Sequence, residues 1–178
     1  MIKTGNSDTI SVMNASAVWK NFLFPRLTPR LLLRMAAVAT ASSLLFYFVL
    51  VPVRLKGRSM EPTLRDGSLH FIFAGSYVFS DPRPGDVVGI RLAGRRVILL
   101  KRVVAAGGET VSFRDGVLFV DGKPRAEKYP VTECDWNYPE RKIGPGNFFV
   151  VGDNRSVPIE HHDFGEVPAK RIMGKLLW

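Results

Sequence analysis

Two patterns of apolar residues follow one another along this chain. From Met35 to Val53 nineteen residues carry no charge (MAAVATASSLLFYFVLVPV). Wound as a helix they would reach about 28 Å, enough to cross the hydrocarbon core of a bilayer. The run is too long and too uniformly apolar for a buried helix of a small domain. The bulky, basic residues from Pro52 to Arg58 offer no small-x-small site at which a signal peptide would be removed. The pattern predicts one uncleaved transmembrane helix over 35–53, preceded by a polar, basic lead over 1–34.

From Leu69 onward the apolar residues come in short runs: Leu69 to Phe73, Asp86 to Arg91, Val97 to Val104, Thr110 to Phe113, Val117 to Val120, Phe148 to Val151 and Arg171 to Leu177. Turn signals separate them, among them Pro82-Arg83-Pro84-Gly85, Gly107-Gly108 and Gly144-Pro145-Gly146. Asp115-Gly116 between two such runs is a hairpin signal, and Asp121-Gly122 ends the next strand. Many short strands in succession predict a mainly β domain over 54–178, an antiparallel sheet folded on itself as an open barrel or sandwich. The stretch near 129–147 has no clean period and is expected to be a long loop.

Composition narrows the partners. The 178 residues are 46% apolar, enough for a core, and the net charge is +9. Residues 1–53 hold five basic and one acidic residue, and the remainder twenty and fifteen. No basic stripe with interleaved aromatics and no recognition-helix pattern accompanies the charge, which argues against nucleic acid and for anionic lipid. The lone Cys134 excludes an internal disulfide and supplies no metal spacing. Lys20, Arg26, Arg30 and Arg34 precede the apolar run while Arg54, Lys56, Arg58 and Arg65 follow it, so flanking charge leaves the orientation a tie.

Candidate chemistry starts at Gly57-Arg58-Ser59-Met60-Glu61-Pro62-Thr63-Leu64. The proline fixes a bend there, and Ser59 is placed as a nucleophile close to the membrane surface, although most serines in such turns are structural. A base is needed. In the strand Val97 to Val104, alternation puts Val97, Leu99, Lys101 and Val103 on one face. An apolar surround disfavours an ammonium, so Lys101 can act as general base toward a serine hydroxyl; alternatively it snorkels from a sheet edge, with Arg102 doing the same on the other face.

These residues resemble the type I signal peptidases, the membrane-bound Ser/Lys endopeptidases, over nearly everything from Leu55 to Gly174. Ser59-Met60-Glu61-Pro62-Thr63-Leu64 is similar to the nucleophile box and Arg83-Pro84-Gly85-Asp86-Val87-Val88 to the strand entry that follows. Lys101 to Glu109 is similar to the lysine box and Gly152-Asp153-Asn154-Arg155 to the last one. The resemblance implies a β catalytic domain outside the cytoplasm, lying on a bacterial-type inner membrane, and a cytoplasmic amino terminus. It implies Ser59 as nucleophile, Lys101 as general base, no cofactor and no metal. Exported preproteins would be the substrates, cut after small residues at the first and third positions before the bond. Oligomeric state stays open.

Two departures stand out. Where many members carry a serine whose hydroxyl helps hold the oxyanion, this chain has Gly57, leaving backbone N–H groups of the Gly57-Ser59-Met60 region, chiefly that of Ser59. Where the family serine orients the lysine, this chain has Pro158, which cannot donate; Ser156 and Glu160 are the candidate substitutes. Asp153 and Arg155 are read as an ion pair that scaffolds the Lys101 neighbourhood. His161, His162 and Asp163 suggest a metal only superficially, since neighbours on an extended chain diverge. Phe71, Phe73, Tyr77 and Phe79 are read as core, with a bilayer-dipping surface as the alternative. The expected function is membrane-anchored signal-peptide cleavage; a dedicated conjugation or pilin-processing peptidase and a catalytically silent homologue are the alternatives.

Overall fold

The computed structural model describes residues 28–92, 98–162 and 165–177. The lead before Thr28, Val97 and Asp163 lie outside the described residues. Contacts divide the chain into two units, 1–42 and 43–178. Helix α1 (Pro29–Phe48) has twenty residues, no acidic residue in its first turn and no buried side chain. Its start is chemically marked. The Thr28 hydroxyl accepts the Leu31 N–H at 3.3 Å, and Pro29 takes the first helical position, where a missing N–H costs nothing. It is the one helix among the described residues long and apolar enough to cross a membrane.

The helix therefore begins and ends several residues before the expected 35–53. The end of the apolar run becomes strand β1 (Leu50–Arg54), paired with β2 (Leu69–Phe73) so that Leu50 faces Phe73 and Val53 faces His70. Pro52 explains the change: it cannot continue a helix, yet it fits an edge strand whose outer side needs no donor. Apolarity continues through residue 53, but the period changes at 49.

The remaining strands are β3 (Val87–Arg91), β4 (Ile98–Ala106), β5 (Thr110–Arg114), β6 (Val117–Val120), β7 (Lys123–Pro124), β8 (Tyr138–Lys142), β9 (Asn147–Val151), β10 (Gly165–Pro168) and β11 (Ile172–Leu177). Seven form an antiparallel sheet in the order β1-β2-β11-β3-β4-β9-β10, and four form a second in the order β7-β6-β5-β8. The seven expected strands all appear within one or two residues. At the β5–β6 hairpin Asp115 and Gly116 take φ of 47° and 79°, the left-handed pair that a two-residue turn requires. One correction concerns 129–147, where β8 pairs with β5 inside the supposed loop. All but its first residue are exposed, so no alternation marks it.

The large sheet is covered on both faces. On one, Val53, Leu55, Ile72, Val87, Leu100 and Leu176 bury Met60 and Leu64 from the β1–β2 connection. On the other, Val88, Ile90, Val103, Phe148 and Val150 pack together. Past Val103 strand β4 shifts register against β9 and enters a third cluster with Phe113, Leu118, Trp136 and Phe149, which joins the two sheets. Each fully buried aliphatic or methionine side chain contributes about 1.5–3 kcal/mol.

Candidate active site

Ser59 sits in the connection between β1 and β2. Backbone bonds from Leu55 N–H to Ser68 O (2.9 Å) and from Gly67 N–H to Leu55 O (3.0 Å) close the base of this loop. The Asp66 carboxylate accepts the Gly57 N–H at 2.9 Å. Met60 is wholly buried and Leu64 nearly so, and Leu64 N–H donates to Met60 O at 2.8 Å. With both neighbouring apolar residues driven inward, Ser59 remains half-buried at the mouth of a cleft of about 400 Å³. Pro52, Val53, Arg54, Leu55 and Lys56 line one side of it, and Ile98, Leu99 and Leu100 line the other.

The two walls share a property. Among the described residues, strand β1 is the edge of the large sheet, and β4 between Ile98 and Lys101 is paired only with β3, because pairing with β9 begins at Arg102. Each wall thus carries backbone groups with no partner strand, the requirement for taking up an extended peptide by strand addition.

Lys101 is 2% exposed. Leu99 and Val103, expected on its face, pack with Val88, Ile90, Phe148 and Val150. Arg102 does not snorkel from an edge. It is 3% exposed, and its Nε and Nη2 donate to the two carboxylate oxygens of Asp153 at 2.8 and 2.5 Å, while Nη1 donates to Gly85 O at 2.7 Å. Its guanidinium lies 3.9 Å from the centre of the Tyr129 ring, and the Thr63 hydroxyl donates to Asp153 at 2.5 Å.

Asp153 and Arg155 do not pair with each other, contrary to the sequence reading. Arg155 forms a two-pronged pair with Glu127, at 2.8 and 2.6 Å, and its backbone N–H donates to the Thr132 hydroxyl at 2.5 Å. Each instead meets an opposite charge distant in sequence, Asp153 at Arg102 and Arg155 at Glu127. Burial works against the charge of Arg155, but Glu127 outweighs it and raises the guanidinium pKa. Burial, with help from Glu127, also pushes the Tyr129 phenol well above its ordinary range, so it stays neutral.

The two candidate substitutes for the missing hydroxyl are turned elsewhere. Ser156 Oγ donates to Asn154 Oδ1 at 2.6 Å. Glu160 is exposed in a single 3-10 turn, Ile159–His161, and forms no ion pair among the described residues. His161 is exposed, whereas His162 is buried edge-on to Trp136, ring centres 4.6 Å apart, and its Nε2 donates to Asn154 O at 2.7 Å.

Of the four aromatics read as core, Tyr77 is half-buried against the Val88 cluster and donates to Asp86 at 3.0 Å. Phe71 is half-buried, Phe73 lies at the surface, and Phe79 is 99% exposed. The core reading fails for Phe79 because it sits in the turn after a short 3-10 segment, with nothing packed over it. Sequence reasoning also missed Thr63, Glu127, Tyr129 and Thr132. The last three lie in the aperiodic stretch between β7 and β8, whose only signal is its content of hydrogen-bonding side chains.

The last box reaches Ser59 directly. The Asn154 N–H donates to Ser59 O at 3.1 Å and its side-chain amide to Arg58 O at 3.0 Å. A methyl group on Gly152 would come within 2.2 Å of Ser59 O, so only glycine fits between this turn and the Ser59 loop. Gly152 directly follows Val151, the strand partner of Arg102, which places the Lys101 segment and Ser59 on either side of one residue.

The family profile "Signal peptidase, peptidase S26" matches residues 29–178. A probable signal peptidase I-1 of Synechocystis sp. is 32% identical over 143 residues, covering 76% of this chain and 73% of its own. A signal peptidase I of Bacillus licheniformis is 28% identical over 71% of this chain and 74% of its own. A signal peptidase IB of Staphylococcus aureus is 29% identical over 79% and 84%. With the profile spanning the helix, both walls of the cleft, Ser59 and the turn behind it, this chain belongs to the signal peptidase family, peptidase S26.

Proposed function

We propose that Ser59 and Lys101 form the catalytic dyad of this serine endopeptidase, which removes signal peptides from exported preproteins. The observation that carries the assignment is the shared cleft: Ser59 opens into it, and the strand forming its far wall, Ile98–Leu100, runs straight into buried Lys101. A signal-peptide segment enters extended between the edges of β1 and β4. Ser59 Oγ attacks the scissile carbonyl as the Lys101 amine takes its proton, and the developing oxyanion meets the Ser59 N–H, supported by that of Met60, while the Gly57 N–H is engaged by Asp66 and holds the loop. The ammonium then gives the proton to the leaving amine. Water, deprotonated by the same lysine, frees the acyl-enzyme.

Asp153 and Arg155 act at one remove, Asp153 by fixing Arg102 beside Lys101 and Arg155 by fixing the turn behind Ser59. Ser156 braces Asn154, and Glu160, exposed on its 3-10 turn, is left out of the proposed site. Ser59→Ala and Lys101→Met should each abolish cleavage of a preprotein in detergent micelles while leaving the melting temperature unchanged, and Lys101→Arg should be as inactive, since a guanidinium stays protonated. Near-normal turnover in any of the three sinks the dyad.

Helix α1 is proposed as the membrane anchor, with a cytoplasmic amino terminus and the peptidase unit outside the cytoplasm on a bacterial-type inner membrane. Leu69, Phe73 and Leu177 on neighbouring strands β2 and β11, with Val78 and Phe79 in the turn beyond, form an exposed apolar margin suited to the lipid interface. Phe79→Glu should reduce cleavage of membrane-held preproteins several-fold and leave short soluble peptides unaffected. Equal rates on both substrates in the variant would remove the lipid contact from Phe79.

A further inference from the structure

We infer that Asn154 is the residue that aims the oxyanion donor of Ser59, a positioning role resting on the assignment of Ser59 as nucleophile. In a trans peptide the carbonyl of one residue and the N–H of the next point in opposite directions on one rigid plane. Arg58 O and Ser59 N–H belong to the same peptide unit, so whatever holds the first aims the second. Two donors converge on Arg58 O: the Glu61 N–H at 3.1 Å, from within the loop, and the Asn154 Nδ2 at 3.0 Å, from the turn after β9. Neither Ser59 N–H nor Met60 N–H has an acceptor among the described residues. The loop is thus pinned through its carbonyl while its donor is left available on a residue that lines the cleft.

The side-chain amide of Asn154 can face only one way. Its Oδ1 accepts the Ser156 N–H at 3.2 Å and the Ser156 hydroxyl at 2.6 Å, which leaves Nδ2 for Arg58. Turning the amide over would set donors against donors and oxygen against oxygen. Its backbone is engaged as well: its N–H holds Ser59 O at 3.1 Å, and its carbonyl accepts the Nε2–H of His162 at 2.7 Å. One residue therefore grips both peptide units that flank the Ser59 α-carbon, and His162, wedged against Trp136, fixes that residue in turn. A hydrogen bond to an amide carbonyl also polarises the amide, making the Ser59 N–H a stronger donor to negative charge. With glycine at position 57, where no hydroxyl can help, the backbone donor carries more of the oxyanion, and its aim matters more.

The test uses the full chain in detergent micelles with Asn154→Asp, which keeps the size and the Oδ1 acceptor but loses the donor, and Asn154→Ser, which is too short to reach Arg58. Alongside kcat, KM and melting temperature, it reads the affinity of a substrate peptide ending in an aldehyde and of the same peptide ending in an alcohol. Ser59 Oγ adds to the aldehyde carbon, the carbonyl electron pair moves to oxygen, and the serine proton passes to the base; the alcohol forms no such adduct. Expected is a fall in kcat of about tenfold to a hundredfold, with KM within about threefold. The aldehyde should weaken by the same factor and the alcohol should not change. Equal weakening of both ligands, unchanged kcat in both variants, or loss of the folded transition in both would overturn the role. Residual cleavage by Ser59→Ala would instead overturn the nucleophile itself, so the two failures are told apart.

Discussion

Two loops meet at Ser59 and are held by opposite means. The loop that carries the serine, 56–66, is fastened chiefly by apolar side chains: Met60 and Leu64 fill a pocket between sheet and loop. The loop behind it, 152–162, is fastened by polar groups: the buried pairs Asp153 to Arg102 and Arg155 to Glu127, and half-buried Asn154 to the serine loop. Apolar plugs set depth but are nearly indifferent to rotation. Hydrogen bonds set direction. In the nucleophilic role proposed for it, Ser59 gains its burial from the first kind of contact and its aim from the second.

Breaking the polar side should cost most. Asp153→Ala leaves the 3%-exposed Arg102 without its carboxylate, a loss of about 3–5 kcal/mol. Chemical unfolding in detergent measures it, and the double variant Arg102→Met with Asp153→Leu should recover most of that stability while remaining inactive. A loss of under about 1 kcal/mol for the single change would show that the pair is not the fastening.

On the apolar side, Leu64→Ala should cost about 2–4 kcal/mol through the cavity it leaves. Its cost should be the same at low and high salt, which distinguishes a plug from a charge pair. A strongly salt-dependent cost would blur the contrast between the loops.

The smallest effect concerns Asp86, which ties β3 to its surroundings. Burial works against its charge, but Lys175 Nζ at 2.6 Å, the Arg83 N–H and the Tyr77 hydroxyl together hold its carboxyl below the ordinary carboxylate range. A depressed pKa means that the unfolded chain binds the proton first. The contribution is complete above the unfolded value near about pH 4 and is lost as pH falls through the folded one. Asp86→Asn should flatten the acid limb of the stability curve by lowering stability modestly at pH 7 and changing little once the pH is below the folded value. An identical acid limb in the variant would refute this.

The same contrast governs what could be read from the sequence. Strands β2, β3, β4 and β9 are legible because local order and burial coincide: apolar runs bounded by glycine and proline. Ser59 and Lys101 stand out as candidates because each lies in a short contiguous motif, and the structure places the strand of one along the cleft that the other lines. Arg155 is legible as important but not in its partner, since Glu127 stands 28 residues away in a stretch without period. Strands β8 and β10 hide at sheet edges, β8 almost fully exposed and β10 only four residues long. The end of α1 was concealed by the uninterrupted apolarity of 49–53, where Pro52 alone signals that the backbone changes state.

The open edges of β1 and β4 have a cost beyond catalysis. A strand with unpaired N–H and C=O groups does not discriminate between a substrate and another folded molecule, and edges of this kind are where β proteins stick to each other. On β1 the chain places Pro52, which interrupts the ladder, and the exposed Arg54, followed by the exposed Lys56, whose like charges repel a second copy arriving edge-on. A flexible peptide can thread past such charges one residue at a time, whereas a rigid sheet would have to meet them all at once. The same three side chains line the cleft that the proposed substrate would enter.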